Sequence, residues 1–180
     1  MTNLGIGIDP GTEICGYGIV LTHGGNLYRK ASGIWTAKRR LPRLERIGVI
    51  SRQMNDTLYT FLDTFDVDVD RIDWYIESQY SGINPRTGIA LAQCAGTVVA
   101  LYEQLCHDGI DEIAPGEWKK IISNLGFRTG GLDEPVKKSD VSWYIEKLLN
   151  YAPQHQDEAD ALAIACAGLI RSRKNGLAYE

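Results

Sequence analysis

The sequence, 180 residues long, predicts a single α/β domain. Apolar residues alternate with glycine over residues 4–8, and this period of two is typical of a strand with one apolar face. Residues 72–77 have the length and composition of a buried strand. Elsewhere, apolar residues recur every three or four positions, as in amphipathic helices. We therefore assign residues 1–174 to one domain and residues 175–180 to a polar tail.

The elements are predicted in chain order from local signals. Pro10-Gly11-Thr12 turns the chain after the first strand, Gly24-Gly25 marks the next turn, and Pro42 suits the start of a helix. The predicted strands are residues 4–9, 17–21, 27–36 (one strand or a pair), 72–77 and 112–114. The predicted helices are residues 42–65, 87–107, 115–125, 135–149 and 157–171. The short connections among the first three strands predict an antiparallel meander.

Two of these elements have unusual compositions. Gly5 and Gly7 leave one face of the first strand bare, so we expect room there for a large ligand beside Asp9. The helix over residues 87–107 is apolar nearly all round. It is either central in the domain or packed partly against a second subunit.

Composition excludes several classes of protein. No apolar run reaches the ~20 residues that cross a bilayer, and the chain enters a strand at once without the basic region of a signal peptide. The cysteines have no CxxC spacing and are predicted to be buried, reduced thiols of an intracellular protein. They are Cys15, Cys94, Cys106 and Cys166.

Charge is distributed unevenly, although the net charge is −4. Residues 29–52 are rich in arginine and lysine and hold a single acid, Glu45, and further basic groups lie at 119–138 and 171–174. A surface polarised in this way can bind phosphate whatever its total charge. The alternative is a solvated helix face. The candidate DNA contacts are Arg39, Arg40, Arg43, Lys119, Lys120, Lys137 and Lys138.

Carboxylates stand where strands end or helices begin. Asp9 and Glu77 each end an apolar strand, where an unpaired charge is costly. Asp157 and Asp160 lie on one face of a predicted helix, at its N-terminus. A favourable interaction with the helix dipole is the alternative explanation for acids at this position. If the first and fourth strands are neighbours, all these acids can converge. Oxygen-only ligands select Mg²⁺ or Mn²⁺, and a pair of such ions is suited to phosphodiester cleavage.

The ordered segments GIDPGT at 7–12, GYG at 16–18, IESQY at 76–80 and DEADALA at 157–163 resemble the RuvC family of Holliday-junction resolvases. The resemblance implies an RNase H-like fold with a mixed five-stranded sheet flanked by helices. It also implies a homodimeric endonuclease with two Mg²⁺ ions per active site, for which Mn²⁺ would substitute. Such an enzyme makes paired symmetric nicks in a four-way DNA junction and leaves 5′-phosphate and 3′-hydroxyl ends.

The resemblance also implies roles for particular residues. The metal ligands and catalytic acids correspond to Asp9, Glu77, Asp157 and Asp160. The active-site lysines best match Lys119 and Lys138, with Lys120 and Lys137 as adjacent alternatives. Tyr80 matches an aromatic residue that stacks on a base near the crossover. His155 is interpreted as a polar loop residue, with an auxiliary base as the alternative.

Three other classes compete with this interpretation. An actin-like phosphotransferase needs a second lobe and phosphate loop, which a chain of this length does not supply. A related nuclease would process ribosomal RNA or cut branched and flap DNA generally, and a junction-binding protein would not cut at all. No membrane partner is expected, a branch-migration motor stays open as a partner, and the expected location is the cytoplasm of a bacterial or phage-infected cell.

Overall fold

The computed structural model describes residues 1–66, 69–78, 85–105, 109–125 and 140–176. The strands are β1 (Thr2–Asp9), β2 (Ile14–His23), β3 (Asn26–Thr36), β4 (Arg71–Glu77) and β5 (Gly109–Ile113). The helices are α1 (Arg43–Thr64), α2 (Pro85–Leu105), α3 (Pro115–Ser123), α4 (Val141–Leu149) and α5 (Gln156–Gly176). Within these residues no helix has the length and apolar character that crossing a membrane would need.

The strands form one mixed sheet in the order β3-β2-β1-β4-β5. The antiparallel pairs β1–β2 and β2–β3 make the predicted meander, and β4 lies parallel to both β1 and β5. Gly24 and Gly25 adopt positive φ angles of 56° and 92° in the β2–β3 turn, a conformation that glycine adopts without steric cost. The α/β fold class and the neighbouring first and fourth strands are therefore confirmed.

The sheet separates two hydrophobic cores. On one face α1 and α2 pack through Ile50, Met54 and Val98 against β1, β2 and β4. On the other face α3, α4 and α5 pack through Trp118, Ile145 and a run of small residues in α5. The fold therefore has a layer of helices on each side of the sheet, as its alternating apolar patterns require.

The bare face of β1 is filled by α5, not by a ligand. A Cβ atom at Gly7 would collide with the backbone of α5 at Ala161 and Ala165, and one at Gly18 would meet the backbone of Leu162. The expectation of ligand space above these glycines was therefore wrong. The glycines instead allow a helix backbone to approach the sheet closely, which a strand with larger side chains would prevent.

Other differences from prediction concern element ends and exposure. The strand β5 begins at Gly109, earlier than predicted, because it pairs with β4 from Asp73 onward. The helix α2 begins at Pro85, two residues earlier than predicted. Proline suits the first turn of a helix because its backbone nitrogen has no N–H group that would need a partner. Leu44 belongs to the apolar pattern of α1 but is 67% exposed. The part of the predicted fourth helix before residue 140 lies outside the described residues.

Three of the cysteines are buried free thiols, as predicted: Cys15, Cys94 and Cys166. A hydrogen bond with Cys94, together with burial, raises the pKa of Cys15, and burial raises that of Cys166. Cys106 lies outside the described residues.

Candidate active site

Asp9 and Glu77 end two neighbouring parallel strands at the same edge of the sheet. The register pairs Ile8 with Ile76, so each acid lies one residue beyond this pair. Because side chains alternate along a strand, Asp9 shares the face of Gly7, and Glu77 shares that of Tyr75. Gly7 pairs with Tyr75 and contacts α5. Both carboxylates therefore project toward the layer that contains α5.

The first turn of α5 lies over this edge. Gly16 is the antiparallel partner of Asp9. A Cβ atom at Gly16 would collide with the carbonyl oxygen of Asp157, so the helix backbone passes directly above that glycine. Asp160 follows three residues later, is 5% exposed, and accepts a 2.7 Å hydrogen bond from Gln156 Nε2. The structure thus brings Asp9, Glu77 and the acidic turn of α5 to one end of the sheet.

The helix α3 adds a partner for Glu77. The buried Trp118 donates a 3.1 Å hydrogen bond from Nε1 to Glu77 Oε1. The Nζ atom of Lys119 lies 5.0 Å from the centroid of the Trp118 ring. Lys120 is exposed on the same helix. Of these two adjacent lysines, Lys119 is therefore associated with the indole that holds Glu77.

His155 stands immediately before α5 and contacts Asp157 twice. Its Nδ1 lies 2.7 Å from Asp157 Oδ2 and accepts from the Asp157 amide at 3.2 Å. A single nitrogen cannot donate and accept at once, so the tautomer of the ring selects one contact. In either case the imidazole restrains Asp157. His155 is thus a polar residue of the segment before α5 that contacts a predicted metal ligand, and the alternative role as an auxiliary base stays a prediction.

Glu158 lies between Asp157 and Asp160 in the sequence, but its side chain points away from them and bonds with Ser32 of β3. Burial works to raise the pKa of its carboxyl, but hydrogen bonds from Ser32, Tyr151 and the Gln154 amide, with the nearby Arg29, outweigh burial and lower it. Glu158 is therefore an ionised carboxylate that accepts three hydrogen bonds inside the protein.

The donor chemistry of this edge fits hard divalent cations. Four carboxylates share it, and carboxylate oxygens are the ligands that Mg²⁺ and Mn²⁺ prefer. In the part of the chain that the structure describes, no three acidic, histidine or cysteine side chains are already gathered around a single point. The backbone therefore places the acids at one end of the sheet.

The turn that follows Asp9 is held from both helices on the opposite face. Cys94 of α2 donates to the Gly11 carbonyl at 3.2 Å. Arg46 of α1 donates from Nε to the Thr12 carbonyl at 3.2 Å and from Nη1 to the Leu41 carbonyl at 2.8 Å. Arg46, which the sequence presents as one more surface cation, thus links this turn to the basic segment before α1.

That basic segment carries the arginines predicted to contact DNA. Arg39, Arg40 and Arg43 are exposed, and Arg39 Nε lies 3.7 Å from the Glu13 carboxylate. The Ala37 amide also donates to the Glu13 carbonyl at 2.9 Å. The segment therefore lies beside the turn after Asp9, where a phosphate bound by the arginines would be near the acidic edge.

Several predicted site residues lie outside the described residues. These are Tyr80, Lys137 and Lys138. Two residues beside the acids were missed by sequence reasoning, Trp118 and Glu158. Trp118 directly precedes the predicted Lys119, which was an available signal; Glu158 had none, because an acid in the first turn of a helix is ordinary.

We expect Trp118→Phe to weaken binding of a divalent metal at this edge roughly 10-fold to 100-fold, because Glu77 loses a hydrogen-bond donor. The measurement is the metal concentration that gives half-maximal binding. Trp35→Phe is the matched control, since the Trp35 indole donates instead to Thr57 at 3.0 Å. Equal effects of the two changes would contradict a specific role for Trp118.

The sheet order, its covering helices and its acidic edge define an α/β protein of the RNase H-like fold. The profile of the family described as "Crossover junction endodeoxyribonuclease RuvC" matches residues 5–168. The chain therefore belongs to the RuvC family.

Individual relatives agree with this assignment. The crossover junction endodeoxyribonuclease RuvC of Anaeromyxobacter sp. (strain K) is 32% identical over 166 residues, which cover 92% of this chain and 80% of that protein. The protein of the same name from Carboxydothermus hydrogenoformans is 31% identical over 168 residues, covering 92% of this chain and 95% of that one.

Solved structures share the fold. T. thermophilus RuvC in complex with Holliday junction substrate superposes with a TM-score of 0.76 at 20% identity, over 96% of each chain. A fowlpox virus resolvase in complex with Holliday junction DNA gives a TM-score of 0.51 at 11% identity, over 93% of this chain and 97% of that one.

Proposed function

We propose that this chain is a metal-dependent endonuclease that resolves four-way DNA junctions by paired symmetric nicks, leaving 5′-phosphate and 3′-hydroxyl ends. The single observation that carries this proposal is the gathering of Asp9, Glu77 and the acidic turn of α5 at one sheet edge in a chain of the RuvC family. One solved structure of a family member is a complex with Holliday junction substrate.

The proposed cofactor is a pair of Mg²⁺ ions, for which Mn²⁺ would substitute. Asp9, Glu77, Asp157 and Asp160 would hold them. The chemistry that such a pair would supply is activation of a water molecule and stabilisation of the departing oxygen in an in-line displacement.

The other residues near this edge would orient the acids or bind the DNA. Trp118 holds Glu77 through the indole N–H, and His155 holds Asp157. The ammonium group of Lys119 would offset charge that develops on the scissile phosphate, a role that Lys138 is also predicted to share. Arg39, Arg40 and Arg43 would bind neighbouring phosphates, with Lys120 and Lys137, and so set the register of the DNA. Tyr80 would stack on a base near the crossover.

The proposed assembly is a homodimer formed through α2. Ile89 and Val99 are 55% and 42% exposed, and Ala92 and Gly96 lie exposed between them at helical spacing. This gives α2 an apolar strip on the side away from its buried residues Cys94 and Val98. A two-fold dimer would present two acidic edges to the two-fold symmetric junction.

We expect Val99→Glu to convert the dimer into a monomer and to abolish paired cutting, because the change places a charge at the C-terminal end of the apolar strip. Light scattering across a concentration series measures the oligomeric state. Tyr59→Glu, a change at another exposed apolar residue, on α1, is the control and should leave the dimer intact. A dimer that survives Val99→Glu would move the interface away from α2.

The proposed location is the bacterial cytoplasm, where chromosomal four-way junctions arise. The named relatives come from bacteria.

The test is cleavage of a labelled synthetic four-way junction, beside a linear duplex, a flap and an RNA hairpin of matched length. Each substrate is incubated with Mg²⁺ or with a chelator. We expect symmetric nicks in the junction alone and only with Mg²⁺. Cleavage of flaps or RNA in preference to the junction would replace the substrate assignment, and tight junction binding with no cutting would indicate a binding protein.

A further inference from the structure

We propose that Glu158 is a positioning residue, which fastens the first turn of α5 to β3 and so sets where Asp157 and Asp160 stand. The inference rests on the proposed function, in which those two acids hold the metal ions. It assigns a role to a residue that points away from them.

The first support is the set of bonds that Glu158 accepts. Its side chain is buried, with 3% of the residue exposed. Oε1 accepts from Ser32 Oγ at 2.6 Å and from the Tyr151 hydroxyl at 2.8 Å, and Oε2 accepts from the Gln154 amide at 2.7 Å. The carboxylate thus joins strand β3, the segment before α5 and the helix itself.

The second support is a layer of contacts that holds these donors. Arg29 Nε donates to Ser32 Oγ at 2.6 Å, so the Ser32 hydroxyl accepts one bond while it donates another. The Arg29 guanidinium also lies 3.8 Å from the centre of the Tyr151 ring. One arginine therefore contacts both residues whose hydroxyls bind Glu158. We call these four residues (Arg29, Ser32, Tyr151 and Glu158) the β3–α5 anchor.

The third support is the mechanical position of the anchor. The body of α5 is held by its close approach to Gly7 and Gly18, but that packing is between small groups and has little directionality. Hydrogen bonds to a buried carboxylate are directional and costly to leave unmade. The anchor therefore restrains the rotation of the first helical turn, and Asp157 and Asp160 lie on either side of Glu158 in that turn.

An apolar residue at 158 would be simpler if only stability mattered. A buried carboxylate must be completely bonded to be tolerated, and apolar replacements of buried ionic groups are often neutral or stabilising. The three donors around Glu158 are therefore better explained by a need for defined geometry than by a need for burial.

The test removes single donors to the anchor. Ser32→Ala and Tyr151→Phe each delete one hydroxyl that reaches Glu158 Oε1. Ser32→Thr is the conservative variant, because it keeps the hydroxyl and threonine is favourable in a β-strand. Mn²⁺ binding to the DNA-free chain is measured by electron paramagnetic resonance, beside thermal unfolding and junction binding in chelator. Ile145→Val, in the core between α4 and α5, is a control for loss of stability alone.

We expect Ser32→Ala and Tyr151→Phe to weaken Mn²⁺ binding about 10-fold, as loss of an outer-shell partner does. Ser32→Thr should return the affinity to within about twofold of wild type. Junction binding in chelator should not change, and Ile145→Val should lower the melting temperature without altering Mn²⁺ affinity.

Three results would overturn the inference. Variants that fold and bind Mn²⁺ as tightly as wild type would remove Glu158 as a positioning residue while leaving the proposed function intact. A weakening by Ile145→Val equal to that by Ser32→Ala would assign the effect to general stability. A wild-type chain that binds no Mn²⁺ and cuts no junction would instead overturn the proposed function, and this inference with it.

Discussion

Replacing Asp9 with asparagine is expected to lower the rate of junction cleavage by about 10³-fold or more, because a metal ion contributes several kcal/mol of charge stabilisation in the transition state. Asp9 ends β1 beside Glu77 and below the first turn of α5. It therefore lies between Glu77 on one side and the acids of α5 on the other. The change removes one negative charge and keeps the shape of the side chain. Single-turnover cleavage of a labelled junction at saturating Mg²⁺ measures the effect.

The control for this change is Asp63→Asn, which alters an exposed carboxylate on α1. It should cut at the wild-type rate. Junction binding by Asp9→Asn, measured in chelator, should stay within about threefold of wild type, since phosphate contacts come from the basic residues. Cleavage that survives Asp9→Asn would mean that the acidic edge is not where hydrolysis occurs.

Replacing Gly7 with valine is expected to lower the free energy of unfolding by at least about 3 kcal/mol. Any Cβ at this position meets the backbone of α5 at Ala161 and Ala165, which cannot rotate aside as a flexible side chain would. The helix would have to lift from the sheet and carry Asp157 and Asp160 away from Asp9. A melting temperature lower by about 10 °C is the expected result in a domain of this size.

Gly48→Ala is the matched control for Gly7→Val. Gly48 lies within α1, and a Cβ there would find only Arg52 Nη1 at 3.8 Å. Because alanine loses less backbone entropy than glycine on folding, this change should stabilise the chain by about 0.5–1 kcal/mol. A Gly7→Val chain that melts as wild type does would show that α5 does not depend on the glycine face of the sheet.

Much of the fold was available from local signals. The alternation in residues 4–8, the Gly24-Gly25 turn and the apolar spacing of α1 each reflect interactions between residues close in the chain. Element ends were less secure, as β5 shows: its first residues have no apolar pattern of their own and become a strand because β4 offers hydrogen-bond partners. Pairing between distant segments decides such boundaries.

Two of the predicted site acids stand out in the sequence by a local rule, because Asp9 and Glu77 each end an apolar strand. Asp157 and Asp160 also fit an ordinary helix-dipole interaction, and their assignment comes from the resemblance to the family. Their partners could not be found in this way. Trp118 is 41 residues from Glu77 and Ser32 is 126 residues from Glu158, and no local pattern joins positions so far apart.

The glycines of β1 and β2 show most clearly which features the local sequence determines and which depend on long-range packing. The sequence by itself determined that one face of β1 is bare, that Asp9 stands at its end, and that an acidic helix begins near residue 157. Only the tertiary structure decided that α5 fills the bare face, with its first turn above Gly16, the partner of Asp9. The reason is physical: an absent side chain creates space, but which long-range element occupies that space depends on the packing of the whole chain.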